Sequence, residues 1–275
     1  MGEIHYLSFR DLASRSTGVT VGQVYRQRNV DDTLADWTPI NLKPGDWTPW
    51  SEVDGVFRGR RVCFIVHGFN VNADHGIKGS GPAAQEFAAL GRLGLAMSGA
   101  DLVVPVLWPG DGFILTSYFN AFKQAAETGR RFAEFLSNTA SVAAEVSFIS
   151  HSLGARVVLE TVTRTALKSA AMRERMEVAI LTAPAVDDTT LDDAEFAPGI
   201  EALRRIVVIS STADRVLKYA FTAGDLVEAA MWSSYDGNGR ALGRFGPRFG
   251  KASSARAKTE WYEVADWLEQ RHSDY

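Results

Sequence analysis

Short apolar runs rich in valine, isoleucine or phenylalanine recur along the chain after the first sixty residues. Gly, Pro, Ser or Asp bounds each run, as is typical of buried β-strands that end in turns. We predict strands at residues 61–66, 102–108, 146–149, 178–181 and 206–209.

Stretches with helical spacing of apolar residues separate these runs. In the second stretch, apolar positions fall near one face of a helix, at Phe119, Phe122, Ala126, Phe132 and Phe135. The predicted helices cover residues 82–96, 118–136, 155–168 and 215–231. Strands that alternate with helices of this length form β-α-β units, and these build a mainly parallel sheet with helices on both faces. We therefore predict an α/β fold.

The first sixty residues do not follow this alternation. Residues 4–9 and 19–25 predict an antiparallel lead-in, and the tryptophans and prolines around residues 37–50 predict an irregular flap. Such a flap could wall a pocket, although aromatic residues in a covering loop more often only pack. The length suits one sizeable α/β domain, so we predict a single domain over residues 1–275, with the lead-in and flap at 1–60 and the core at 61–275.

Composition and charge narrow the class of partner. The net charge of −4 over 275 residues argues against a general nucleic-acid or anionic-membrane surface, which needs a strong positive field. A small-molecule substrate fits better. Cys63 lies inside an apolar run, so we expect a buried core thiol. Neither a signal peptide nor a long apolar segment is evident, and we expect a cytoplasmic protein without stable membrane insertion.

The segment from Glu145 to Leu159 carries the strongest chemical signal. A strand-forming run leads directly to Ser152, and a helix-forming stretch follows at once. This arrangement predicts a nucleophile elbow, in which the serine hydroxyl projects from the sheet edge beside a helix N-terminus. The motif reads Ser150-His-Ser-Leu-Gly154, with serine where the usual G-x-S-x-G pattern has its first glycine. The alternative is that Ser152 only caps the following helix.

A serine nucleophile needs a histidine to accept its proton and an acid to orient that histidine. Asp214 follows the Val/Ile-rich strand at 206–209 and is our candidate acid, although it could simply cap the next helix. Asp187 is the second choice. His272 is our candidate base, because it alone among the five histidines follows Asp214 in the order serine, acid, histidine. The alternative is a disordered tail histidine.

The loop after the first core strand reads His67-Gly68-Phe69-Asn70. Its glycine would let backbone amides turn toward the nucleophile, and we expect the amides of Phe69 and Leu153 to form an oxyanion hole, with Asn70 as the alternative to Phe69. We further predict His67, Asn70 and Trp108 as substrate-binding residues.

Together these motifs resemble the α/β-hydrolase superfamily, and most closely its bacterial branch of largely uncharacterised lipase- and esterase-like proteins. The likeness covers residues 61–275 and includes Trp108-Pro109, the 183–187 turn and the 214–217 loop. It implies a serine hydrolase that acts through an acyl-enzyme, without cofactor or metal. Members of the branch often have aspartate directly after the proline, where this chain has Ala185.

The resemblance does not identify the leaving group of the substrate. We expect a carboxylic ester hydrolase acting on a small-molecule ester, with no nucleic-acid partner. Thioesterase, amidase or phospholipase activity with the same triad, or a catalytically silent interaction module, are the alternatives. The sequence does not indicate the oligomeric state.

Two charged segments remain. Residues 237–259 carry six basic side chains and no acidic one, and we favour a solvated connection over a site for RNA or a phosphate-bearing substrate. The carboxylates at 187–195 lack the spacing of a calcium loop, and we favour a water-facing acidic surface over a cation site.

Overall fold

The computed structural model describes residues 2–10, 18–30, 47–48, 54–69, 82–110, 115–221 and 239–264. The strands are β1 Gly2–Arg10, β2 Val19–Val30, β3 Trp47–Thr48, β4 Arg61–Val66, β5 Leu102–Leu107, β6 Glu145–His151, β7 Met176–Thr182, β8 Arg205–Ser210 and β9 Thr259–Glu263. The α-helices are α1 Asp54–Phe57, α2 Pro82–Ser98, α3 Leu115–Asn138, α4 Gly154–Lys168, α5 Ala170–Arg173, α6 Ala197–Ala202 and α7 Leu242–Phe245.

All nine strands belong to one sheet, in the order β3-β2-β1-β5-β4-β6-β7-β8-β9. From β1 to β9 every neighbouring pair is parallel, whereas β2 runs antiparallel to both β1 and β3. Parallel strands all end at the same sheet edge, so the loops that leave β4, β5, β6, β7, β8 and β9 converge there. This is the edge that carries the candidate site.

The two faces of the central strand β4 bury different sets of side chains. Phe64 packs into the larger core with Phe132 and Phe135 of α3, and its ring meets that of Phe132 edge-on at 5.0 Å between centroids. Cys63 and Ile65 point to the other face, into a smaller core with Phe87 and Leu90 of α2. Since helices cover both faces, the predicted α/β architecture is confirmed.

Cys63 is fully buried, as predicted. Burial raises the pKa of its thiol to about 12, with a hydrogen bond to Ser98 acting in the opposite direction. The thiol therefore stays protonated at neutral pH, and Cys63 is a core residue in this structure rather than an activated nucleophile.

The antiparallel lead-in is confirmed by β1 and β2. From the predicted flap the structure describes Trp47–Thr48, which pairs with Val24 and Tyr25 of β2. The remaining flap positions, including Trp37 and Trp50, lie outside the described residues.

Two elements differ from the sequence prediction. The chain becomes helical after Asp214, as expected, but Leu217–Phe221 is a π-helix, and residues 222–231 of the predicted helix lie outside the described part of the chain. Strand β9 was not predicted. Among the described helices, none combines the length and the apolar character that a bilayer crossing requires.

Candidate active site

Ser152 occupies the turn between β6 and α4. The strand ends at His151 and the helix begins at Gly154, so two residues reverse the chain. Ser152 has a φ of 51°, in the left-handed region that non-glycine residues rarely adopt. Strain of this kind persists only where surrounding contacts enforce it, and it clusters at functional sites. The strand, the strained serine and the helix together have the geometry expected of a nucleophile elbow.

Small residues on both sides of Ser152 let strand and helix backbones meet. A Cβ atom placed on Gly154 would lie 2.5 Å from the carbonyl oxygen of His67 and 2.8 Å from that of Val66. Ser150, at the other small position, is fully buried, and its hydroxyl has no hydrogen-bond partner among the described residues. Serine in place of the usual glycine is therefore tolerated here at the expense of a buried polar group.

The loop after β4 brings Gly68 directly beside the elbow. A Cβ atom on Gly68 would lie 3.1 Å from the Cβ atom of Ser152 and 2.9 Å from Nδ1 of His151. On the other side, Leu153 is the cap residue of α4, at the helix end where amides lack intrahelical acceptors. Phe69 is half-buried against the main core, and Asn70 lies outside the described residues.

His67 and Trp108 join the ends of β4 and β5. Nδ1–H of His67 donates to the Gly68 carbonyl at 2.7 Å, while Nε2 accepts the backbone N–H of Trp108 at 3.1 Å. The indole N–H of Trp108 donates to the His67 carbonyl at 2.8 Å, and the two rings stack. Both residues are fully buried. These contacts favour a structural role, in which His67 and Trp108 hold the Gly68 loop in place. Direct contact of either residue with a substrate remains a prediction.

Asp214 lies in the loop that follows β8 and is fully buried. Its Oδ1 atom accepts the backbone N–H of Leu217 at 2.8 Å, so Asp214 does cap the helical turn that follows. A carboxylate has two oxygens that can accept several hydrogen bonds, so the capping role is compatible with a catalytic role. Asp187, the alternative acid, is half-buried and lies after β7, where it forms a backbone bridge with Ala241.

Backbone hydrogen bonds connect the turn at Ser152, through β7, with the loop after β8. We call that loop, residues 211–214, the acid loop. The Ser152 N–H donates to the Thr182 carbonyl at 3.0 Å, and the Ala183 N–H donates to the Ile209 carbonyl of β8 at 3.0 Å. Ala183 also has a positive φ, of 44°. Since strands lie about 4.8 Å apart, β6 and β8 are separated by roughly 10 Å, which a histidine between their loops could bridge.

His272 lies outside the described residues, and the structure describes this part of the chain as far as Val264. Strand β9 runs parallel to β8 and ends at the same sheet edge, where the Val264 N–H donates to the Ser210 carbonyl at 2.8 Å. Val264, the last described residue, therefore lies beside the end of β8, which leads into the acid loop. The contact between the His272 imidazole and the Ser152 hydroxyl remains a prediction.

A segment that the sequence did not single out for the site lies along the same edge. We call residues 239–250 the strap. The strap is held by Asp188, which is 1% exposed and accepts from Arg240 Nε at 2.7 Å and Arg248 Nε at 3.0 Å. The expected water-facing acidic surface is wrong for Asp188, whereas Arg240 and Arg248 are exposed, as expected for a solvated connection. A buried carboxylate instead fastens the strap to the loop after β7.

The strap contacts both loops of the candidate site. The Gly243 N–H donates to the Pro184 carbonyl at 2.9 Å, and the Gly243 carbonyl accepts the Ser211 N–H at 3.0 Å. The carbonyl of Ser211 in turn accepts the Asp214 N–H at 3.1 Å. The strap therefore supports the serine side and the acid side of the edge together.

The described residues contain no group of three or more His, Cys, Asp or Glu side chains arranged to hold a metal ion. In the 187–195 segment, Asp192 accepts the Gly250 N–H at 2.6 Å, so this carboxylate too binds the strap.

No curated protein matches this chain. A family model described as "Alpha/beta hydrolase of unknown function (DUF900)" matches residues 56–228, which include β4, the elbow and the acid loop. With more than half of the chain matched, the protein belongs to this family of α/β hydrolases.

Proposed function

We propose that the protein is a serine hydrolase that cleaves carboxylic esters, with Ser152 as nucleophile, Asp214 as acid and His272 as base. The observation that carries the proposal is the left-handed backbone of Ser152 at the junction of β6 and α4. The buried Asp214 at the same sheet edge and the adjacent Gly68 loop support it.

In the proposed reaction, the Ser152 hydroxyl oxygen bonds to the ester carbonyl carbon while its proton passes to the imidazole of His272. Asp214 stabilises the resulting imidazolium. Backbone amides at Phe69 and Leu153 are the proposed donors to the oxyanion. The carbon–oxygen bond then breaks, and the alcohol leaves with the proton from the imidazolium. Water repeats the sequence on the acyl-enzyme and releases the acid.

Two measurements test this proposal. Intact-mass spectrometry detects labelling by a fluorophosphonate probe, and a separate assay follows the hydrolysis of p-nitrophenyl butyrate. Wild type should gain one adduct, and Ser152→Ala should lose both the adduct and at least a thousandfold in rate. Ser254→Ala is the matched control, because Ser254 is exposed and its hydroxyl does not cap the adjacent helical turn. It should label like wild type.

Full esterase activity in Ser152→Ala would refute the nucleophile assignment. Absence of both labelling and hydrolysis in wild type would instead favour a silent interaction module. A panel of thioesters and amides, assayed with unlabelled wild type, then decides the leaving group, which the elbow does not determine.

A further inference from the structure

The strap places cationic side chains at the acid side of the candidate site. Helix α7 lies within the strap, wedged between the loop after β7 and the loop after β8. A Cβ atom on Gly243 would collide with the backbone of Ala183 and Pro184, so the two segments are in direct contact. Ala185, next along that loop, donates its N–H to the Ser152 carbonyl at 3.1 Å. Side chains on α7 therefore lie near the elbow.

Arg244 on α7 is held over the acid loop. Its Nε donates to the Thr212 carbonyl at 3.3 Å, two residues before Asp214. The guanidinium carbon lies 4.6 Å from the centre of the Phe245 ring, and that of Arg240 lies 4.3 Å from the same ring. Each guanidinium thus makes a cation–π contact with Phe245, which helps to hold it in place.

The strap contains three arginines, Arg240, Arg244 and Arg248, and no acidic residue of its own. Asp188 is the one carboxylate that pairs with Arg240 and with Arg248 among the described residues. Arg244 has no carboxylate within ion-pair distance in the described part of the chain, although it is half-buried. Its terminal amino groups retain donors in the forked geometry that matches carboxylate and phosphate oxygens.

The residue that follows the acid loop adds another positive charge to this region. Arg215 follows Asp214 directly, and its side chain is exposed. A partly buried guanidinium without a carboxylate partner can form charge-assisted hydrogen bonds with an anion that binds beside it. The arrangement therefore suits a negatively charged group of a bound molecule.

We propose that Arg244, together with Arg240 on the Phe245 ring, forms an anion subsite that binds a carboxylate or phosphate group of the ester substrate. The inference rests on the proposed function and adds a substrate class to it: esters that carry a negative charge away from the bond to be cleaved. The binding step itself involves no covalent change.

A matched pair of substrates tests the subsite. Mono-p-nitrophenyl adipate and p-nitrophenyl hexanoate have acyl chains of equal length, and the first ends in a carboxylate where the second ends in a methyl group. Arg244→Gln should lower kcat/KM for the adipate ester roughly tenfold or more, the usual effect of losing a hydrogen bond between charged groups, and leave the hexanoate ester nearly unchanged. Arg244→Lys should retain part of the preference.

Arg256→Gln is the matched control. Arg256 also stacks on a phenylalanine, Phe249, and donates to the Phe249 and Gly250 carbonyls at the far end of the strap, from which the chain leads to the start of β9 at the opposite sheet edge. Its substitution should affect the two esters equally. An equal loss on both esters in Arg244→Gln, or an unchanged preference, would overturn the subsite.

A binding measurement separates failure of the subsite from failure of the proposed function. Titration of wild type with phenylphosphonate at low ionic strength, followed by calorimetry, should show binding that Arg244→Gln weakens and Arg256→Gln does not. If wild type neither labels nor hydrolyses esters, the proposed chemistry fails while this titration still decides the subsite. No binding, or equal binding in all three proteins, would refute it.

Discussion

Glycine at position 154 allows α4 to begin in contact with the end of β4. In Gly154→Ala, the new methyl group would press on two backbone carbonyls that belong to the sheet, so the helix start must move away from it. We expect a loss of about 1–3 kcal/mol in the free energy of unfolding, in the range of other overpacked sites. Urea denaturation measures the change, and Ser152 should label more slowly because its turn moves with the helix.

Gly55→Ala provides the comparison. Gly55 is exposed on α1, and a Cβ atom there would meet nothing within 4 Å. Alanine is favoured over glycine in a helix by up to about 1 kcal/mol, so this variant should be unchanged or slightly more stable. Equal destabilisation in both variants would contradict the packing argument.

Single residues also show where the sequence is informative. The strand-to-helix pattern around Ser152 is local, and so is the strand that precedes Asp214, which is why both could be placed at one sheet edge from the sequence. Asp188 could not be identified in this way, because its partners Arg240 and Arg248 come 52 and 60 residues later. In the sequence, Asp188 looks like one more exposed carboxylate beside Asp187, because no neighbouring residue indicates that it is buried.

At the scale of elements, α4 is fixed by a buried ion pair. Arg156 Nη2 donates to Glu160 Oε1 at 2.7 Å, with side chains 9% and 3% exposed, and the guanidinium lies between the rings of Phe122 and Phe196. Glu160→Gln would remove the shorter of two carboxylate contacts to this buried guanidinium, the longer being to Glu195 at 3.5 Å. We expect a loss of about 3 kcal/mol in the free energy of unfolding, measured by urea denaturation.

Glu127 on α3 is a suitable reference for that measurement. It pairs with Arg130 and Arg131, but its side chain is 39% exposed, so water already screens the interaction. Glu127→Gln should cost less than about 1 kcal/mol. A comparable loss in the two variants would show that burial does not distinguish these pairs.

Elements with a continuous apolar pattern were predictable, and those without one were not. The five core strands were found within two residues of their observed ends because both faces of each strand are buried. Strand β9 reads Thr-Glu-Trp-Tyr-Glu, and most of its side chains are exposed. As the last strand in the sheet order, it is held mainly by backbone pairing with β8, which leaves little trace in hydrophobicity.

At the scale of the whole molecule, the strap joins loops that are far apart in sequence. In Asp188→Asn the two arginines that hold the strap lose their charged partner, so the strap should open more often. We expect roughly tenfold faster hydrogen exchange at the amides of Gly243 and Ser211, because local opening exposes hydrogen bonds in the strap before the sheet unfolds. Mass spectrometry of exchanged peptides measures it.

Asp101→Asn is the control for that experiment. Asp101 pairs with Arg61 at the opposite edge of the sheet, and this guanidinium lowers the pKa of the Asp101 carboxyl to about 2. Its loss should leave exchange at Gly243 and Ser211 unchanged. Faster exchange across the whole sheet in Asp188→Asn would indicate global destabilisation and contradict a local role for the strap.

The left-handed backbone at Ser152 and Ala183 has a consequence for engineering. Glycine adopts that conformation without the penalty, of order 1 kcal/mol, that a Cβ atom brings. A redesign guided only by heat resistance would therefore replace both residues with glycine among its first changes. It would produce a sturdier protein and delete the very hydroxyl on which the proposed chemistry depends.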